Sequence, residues 1–125
     1  MSENVILTTG IYDLIKDHVR RKRVTPEQET ILLDELKNAN QVLRRDLPAD
    51  VVSINRKVTL RDHSTNQEQE YLFVADDKAK VKKGKYSILC DQGIATVGHK
   101  VGDVVSWPFK DGERKIEILK VEEFA

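Results

Sequence analysis

Histidine, cysteine and paired carboxylates are the side chains with which a small protein most readily holds a metal or moves a proton, and here they are dispersed. His18, His63 and His99 each lack a second ligand-type residue at metal-binding spacing, so no metal site is expected. Cys90 is the only cysteine and has neither a neighbouring histidine nor a CxxC partner. It reads as a buried or half-buried structural thiol, and no intramolecular disulfide can form. Asp76-Asp77 and Glu122-Glu123 put carboxylates side by side, but acid–base catalysis needs a cleft that splits their pKa values, and solvated neighbours have none. No Walker loop, GxGxxG or GxSxG run occurs, and Gly98 and Gly102 are spaced like turn glycines. The expectation is a protein without catalytic residues, cofactor or metal, hence not an enzyme.

Two basic clusters remain, Arg20-Arg21-Lys22-Arg23 and the lysines within Lys78 to Lys85. Both have an account as solvated surface; the first would also suit a projecting tip that touches phosphates or acidic protein. Trp107 and Phe109 flank Pro108 and fit either core packing or an exposed hot spot. Across the chain, 21 basic residues offset 21 acidic ones, which disfavours a non-specific nucleic-acid binder, since that affinity comes from neutralising phosphates. With 39% hydrophobic and 34% charged residues, the 125-residue chain has enough for a folded domain with an appendage. A single cysteine, no apolar run of membrane-spanning length and an acidic start, Met1-Ser2-Glu3-Asn4, predict a cytoplasmic protein without membrane contact. A monomer is expected.

The elements that would carry these residues change character at Pro48. Before it, Ile11, Leu14, Ile15 and Val19 form one face of a helix that Thr8 or Thr9 caps and that stops in Arg20 to Arg23. Thr25-Pro26-Glu27-Gln28 announces a second helix with a capping box. Its seam, Leu32, Leu36, Ala39 and Leu43, ends near Arg44-Arg45 and predicts an arm of roughly 30 Å. Two helices so closely joined make an antiparallel hairpin within a first domain of residues 1–47. Residues 48–125 read instead as strands: Val51 to Ile54 and Lys57 to Leu60 as a strand or bent pair, Glu70 to Val74, Tyr86 to Leu89, Val104 to Trp107 and Arg114 to Val121. Ile116 and Ile118 face inward in the last, with Val121 a further candidate. Asp111-Gly112 signals a hairpin, Asp76 to Lys85 a polar loop, and Ile94 to Val97 one or two helical turns. The fold class is α+β: a helical hairpin, then an antiparallel sheet domain with one short helix.

Residues 50–124 resemble the C-terminal domain of the GreA/GreB transcription factors and of the related regulator Rnk. The resemblance rests on Asp50-Val51-Val52-Ser53-Ile54-Asn55, Val58-Thr59-Leu60, Tyr86-Ser87-Ile88, Gly98-His99-Lys100-Val101-Gly102-Asp103-Val104-Val105, Asp111-Gly112 and Ile116-Glu117-Ile118-Leu119-Lys120-Val121-Glu122, in that order. It implies a fold like that of the FKBP prolyl isomerases without their activity. It further implies docking on bacterial RNA polymerase near the secondary-channel rim, with indirect contact to DNA or RNA in the transcription complex. In Gre factors the loop into the small helix carries much of this contact, usually with an Asp-Ser-Pro-like run. Here the matching positions are Leu89, Cys90, Asp91 and Gln92, followed by Gly93, Ile94 and Ala95. Gre factors also carry a long coiled coil whose acidic tip helps hold a catalytic magnesium, an ion that prefers hard oxygen ligands. This hairpin is shorter and its tip offers Arg21, Lys22 and Arg23 beside Glu27, a layout more like that of Rnk. The implied function is a polymerase-binding regulator that does not stimulate transcript cleavage. The alternatives are a cleavage-stimulating factor acting through Glu27 or Glu29, and a polymerase-independent interaction domain.

Overall fold

The structure is a computed structural model that describes residues 5–109 and 111–123. Residues 1–4 of the expected extended lead-in lie outside them. The chain divides into two compact units, Met1–Pro48 and Ala49–Ala125.

In the first unit a short strand, β1 (Ile6–Thr8), leads into helix α1 (Thr9–Arg20). Thr8 is the cap: its hydroxyl oxygen accepts from the Ile11 N–H at 3.3 Å, satisfying one of the helix's free amides. Ile11, Ile15 and Val19, four residues apart, form the buried stripe. The chain turns through residues 21–25, where Lys22 takes a left-handed φ of 57°. Helix α2 (Pro26–Asn38) then opens with the expected reciprocal cap, the Gln28 N–H donating to Thr25 Oγ1 (3.2 Å) and the Thr25 N–H to Gln28 Oε1 (3.1 Å).

Helix α2 stops at Asn38, well short of Arg44-Arg45, so its 13 residues span about 20 Å rather than 30. The buried seam ends at Leu36; Ala39 is extended, and Leu43 is 56% exposed. Two asparagines bracket the break, and Asn38 turns its side-chain amide back to the Asp34 carbonyl at 3.0 Å. Asparagine competes for backbone hydrogen bonds in this way and is a poor helix former. Beyond the break, β2 (Asn40–Val42) pairs parallel to β1, Ile6 facing Asn40 and Thr8 facing Val42. A ready strand partner outweighs the continued heptad.

The second unit holds β3 (Arg56–Asp62), β4 (Gln67–Val74), β5 (Lys85–Ser87), helix α3 (Asp91–Thr96), β6 (Val104–Phe109) and β7 (Gly112–Glu123). One sheet runs β5-β4-β3-β7-β6. Its neighbours are antiparallel except β4 and β5, where the expectation of an all-antiparallel sheet fails. Residues 75–84 cross over through two 3₁₀ turns instead of a tight hairpin and so return the chain in the same direction. Val51 to Ile54 is likewise no strand. Val51 makes one bridge to Lys100, while Val52 exchanges backbone hydrogen bonds with His99 (2.8 Å) and Gly98 (3.0 Å). Val51, Val52 and Ser53 are buried nonetheless, and the buried Arg56 fastens the stretch by donating to the Val51 carbonyl at 2.7 Å.

Alternation along the strands buries Val58 and Leu60 in β3, Tyr71 and Phe73 in β4, and Ile116 and Ile118 in β7. Val121 is half-buried. A bulge at Leu119, between the pairs Leu60–Ile118 and Thr59–Lys120, shifts the register of β7 against β3. Trp107 is fully buried, which makes it a core residue, and its indole N–H lacks a hydrogen-bond partner among the described residues. Phe109 closes the hairpin opposite Gly112, at the Asp111-Gly112 turn anticipated from sequence; Gly112 takes φ 131°.

Candidate functional site

The lead-in to α3 is held by hydrogen bonds that its own sequence supplies. Ser87 Oγ accepts from the Leu89 N–H and the Ser87 carbonyl from the Cys90 N–H, both at 3.0 Å. The Cys90 carbonyl accepts from Ile94 at 2.8 Å, which starts the helix. Gly93 lies so near the preceding turn that an added Cβ would stand 2.4 Å from the Ile88 carbonyl oxygen. Only glycine allows that approach.

This packing sorts the six residues expected to contact a partner. Asp91 is exposed, and Leu89, Cys90 and Gln92 are half-buried. Ile94 and Ala95 are only 2% and 1% exposed, so they underpin the helix from the core and present no surface. Cys90 sits where burial pushes its thiol up, the N–H groups of Gly93 and Gln92 offsetting part of that. A protonated, half-buried thiol is a poor nucleophile at neutral pH.

Beside α3 the sheet forms a cavity of about 200 Å³ lined by Gln92, Tyr71, Phe109, Asp62 and Arg114 among others. Arg114 donates to Asp62 at 2.9 Å, is ion-paired with Asp111, and lies with its guanidinium carbon 5.8 Å from the centre of the Phe109 ring. Desolvation pushes the Asp62 carboxyl up, but hydrogen bonds from Ser64 and Arg114 outweigh it and hold the group below its ordinary value. Burial pushes the Tyr71 hydroxyl up to about 12. The cavity therefore offers amides, aromatic faces and carboxylates held by arginines, Asp62 by Arg114 and Glu68 by Arg61, which suits recognition rather than proton transfer. Sequence inspection missed the Asp62–Arg114 pair. The residues lie far apart in the chain and meet because β3 and β7 are neighbours, with Asp62 opposite Ile116.

In the first unit, Arg21, Lys22 and Arg23 are exposed in the connection between α1 and α2, and Glu27 is exposed in the first turn of α2. Two of the carboxylates around this tip, Asp17 and Glu29, are engaged by its cations. Asp17 accepts from Arg20 and pairs with Arg21 at 3.0 Å, and the Arg20 hydrogen bond leads in holding its carboxyl below the usual range. Glu29 accepts from Lys22 Nζ at 3.3 Å across the turn. Among the described residues no three His, Cys, Asp or Glu side chains are grouped so as to hold a metal, and no helix is long and apolar enough to cross a membrane.

Residues 47–123 match the family model described as transcription elongation factor, GreA/GreB, C-term. Transcription elongation factor GreA of Clostridium beijerinckii is 34% identical over 126 residues, covering 97% of this chain and 79% of its own length. The GreA of Clostridium botulinum strain Eklund 17B is 32% identical, covering 98% of this chain and 79% of its own. Among solved structures, the prokaryotic transcription elongation factor GreA/GreB from Nitrosomonas europaea superposes with a TM-score of 0.67 at 23% identity, over 97% of this chain and 99% of that one, a likeness of fold.

Proposed function

This chain belongs to the GreA/GreB family of transcription elongation factors, and on that premise we propose that it binds bacterial RNA polymerase at the secondary-channel rim and regulates transcription without stimulating transcript cleavage. Docking falls to the surface of Leu89, Cys90, Asp91 and Gln92, with the cavity beside it. The sheet unit is read as FKBP-like and the helical unit as a short antiparallel hairpin, supported by the five-stranded order with α3 and by the brief connection at residues 21–25. The protein would act in the cytoplasm as a monomer and would itself catalyse nothing.

The observation that carries this reading is the state of the tip. Delivering Mg²⁺ requires free carboxylates, because the ion takes oxygen ligands in near-octahedral geometry. Here Asp17 is committed to Arg20 and Arg21 and Glu29 to Lys22, while Arg23 adds further positive charge beside Glu27. A cationic tip repels the metal. The GreA-type alternative has an observation in its favour: the match to GreA spans 97% of this chain, helical unit included, and Glu27 is exposed.

Two measurements separate the readings. The full chain is expected to bind core polymerase, and Asp91→Arg to weaken that binding by about tenfold. No binding by the unaltered chain would leave the polymerase-independent interaction domain. Backtracked elongation complexes incubated with the protein are expected to keep their transcripts intact, and robust shortening comparable to that caused by a Gre factor would establish the cleavage-stimulating reading instead.

A further inference from the structure

Many cations of the sheet unit have a counter-charge at hand: Arg56, Arg61 and Arg114, with Lys57 and Lys120, all lie in ion pairs. Residues 76–85 differ. Lys78, Lys80, Lys82 and Lys83 are exposed and Lys85 is half-buried, and among the described residues none of the five has a side-chain hydrogen bond or ion pair. In their midst stands Val81, which at 64% is the most exposed large hydrophobic side chain among the described residues.

The backbone beneath these side chains is ordered. Asp76–Lys78 and Val81–Lys83 are 3₁₀ turns. Lys80 and Lys85 exchange both backbone hydrogen bonds, at 2.8 and 3.1 Å. Gly84, at φ 75°, closes the second turn and accepts from the Leu72 N–H of β4 at 3.1 Å. Four exposed ammonium groups and a valine are thus presented from a frame fastened to the sheet. Such a frame loses little entropy when it is covered. Asp76 and Asp77, also exposed, offset part of this charge, but the five lysines outnumber them. The excess positive charge raises the energy of the free protein, and an anionic partner lowers it.

We propose that residues 76–85 form a second docking surface, taking an acidic protein surface with an apolar side chain at its centre. This rests on the polymerase reading above and places that acidic surface on the same enzyme. Val81 decides between protein and nucleic acid: an apolar centre with a charged rim is the anatomy of a protein interface, whereas a phosphate backbone has nothing to set against it. The loop also lacks a free aromatic face for a base, since Tyr86 packs edge-on against Tyr71 with ring centres 4.7 Å apart. The chain's balanced charge points the same way. The loop runs through β5 into Leu89–Gln92, so the two contacts are continuous along the chain.

The test titrates labelled full-length protein with bacterial core polymerase at low and at physiological salt. Lys80→Glu combined with Lys82→Glu should raise Kd by about tenfold and flatten its salt dependence. Val81→Ser should weaken binding at both salt concentrations. Emission from Trp107, the only tryptophan and a fully buried one, verifies that each variant is folded. A double variant that binds with unchanged Kd and salt dependence, while Asp91→Arg is impaired, overturns this surface and leaves the docking at α3 intact. Failure of the unaltered protein to bind overturns both. A double variant that binds polymerase normally but loses affinity for a short DNA duplex assigns the loop to nucleic acid and likewise overturns the proposal.

Discussion

Asp62 shows how one side chain is tuned by neighbours that are distant in sequence. Its carboxylate accepts from Arg114 at 2.9 Å and from the Ser64 N–H at 2.8 Å, and the folded protein holds it below the ordinary value. A carboxyl lowered on folding adds stability that is present above its unfolded value, near pH 4, and is lost as pH falls through the folded one. Asp62→Asn should therefore cost about 1 kcal/mol at neutral pH, the scale of a charged hydrogen bond at a partly exposed site. Denaturant titrations should show that difference shrinking towards zero as the solution is acidified below pH 4. A difference independent of pH would mean that packing, not charge, is what Asp62 contributes. None of this is legible along the chain, because Asp62 and Arg114 become neighbours only through strand pairing. The half-burial of Cys90 was legible, since a lone thiol without histidine or CxxC has little else to do.

Elements that rest on local chemistry are the ones the sequence foretells. Thr25, Pro26 and Gln28 specify the start of α2 by the hydrogen bonds they can make, and the Asp111-Gly112 turn specifies the last hairpin in the same way. The end of α2 is not legible because the competitor is non-local: Val5, just before β1, offers Asn40 a carbonyl at 2.9 Å. The parallel β4–β5 pairing depends likewise on how residues 75–84 cross, which no periodicity reports. A short helix here is legible, but its bounds and face are not: against the turns expected at residues 94–97, it starts three residues earlier, at Asp91, and ends at Thr96. Residues 94–97 read as a small apolar run, and it is their burial that turns Asp91 and Gln92 outward. The helix also depends on glycine at its centre. Gly93→Ala would drive a methyl into the Ile88 carbonyl and should cost about 2 kcal/mol, seen as a lowered thermal midpoint. A midpoint equal to that of the parent would show that α3 can move off the turn at residues 88–90 without penalty.

For the whole molecule, burial is concentrated in a few large side chains, which makes the sheet unit sensitive to their loss. Ile118 is fully buried in β7, an interior strand of the sheet, and Ile118→Ala should destabilise by about 3 kcal/mol through lost contacts and a cavity. Trp107 emission during denaturation reads this out, and a shift under 1 kcal/mol, roughly a single methylene's worth, would mean that the core closes over the gap. Charge is as unevenly handled as packing: ion pairs occupy the tip and the sheet strands, while the lysines of residues 78–85 are left without them. The two borders of the sheet have a consequence of their own. On one side β6 carries Pro108, which has no N–H to offer an incoming strand; on the other, β5 is three residues long and flanked by the Lys80–Lys85 bridge. Neither border invites another chain to zip on through its backbone. A contact made on this sheet by another molecule is therefore read chiefly through side chains, not by adding a strand.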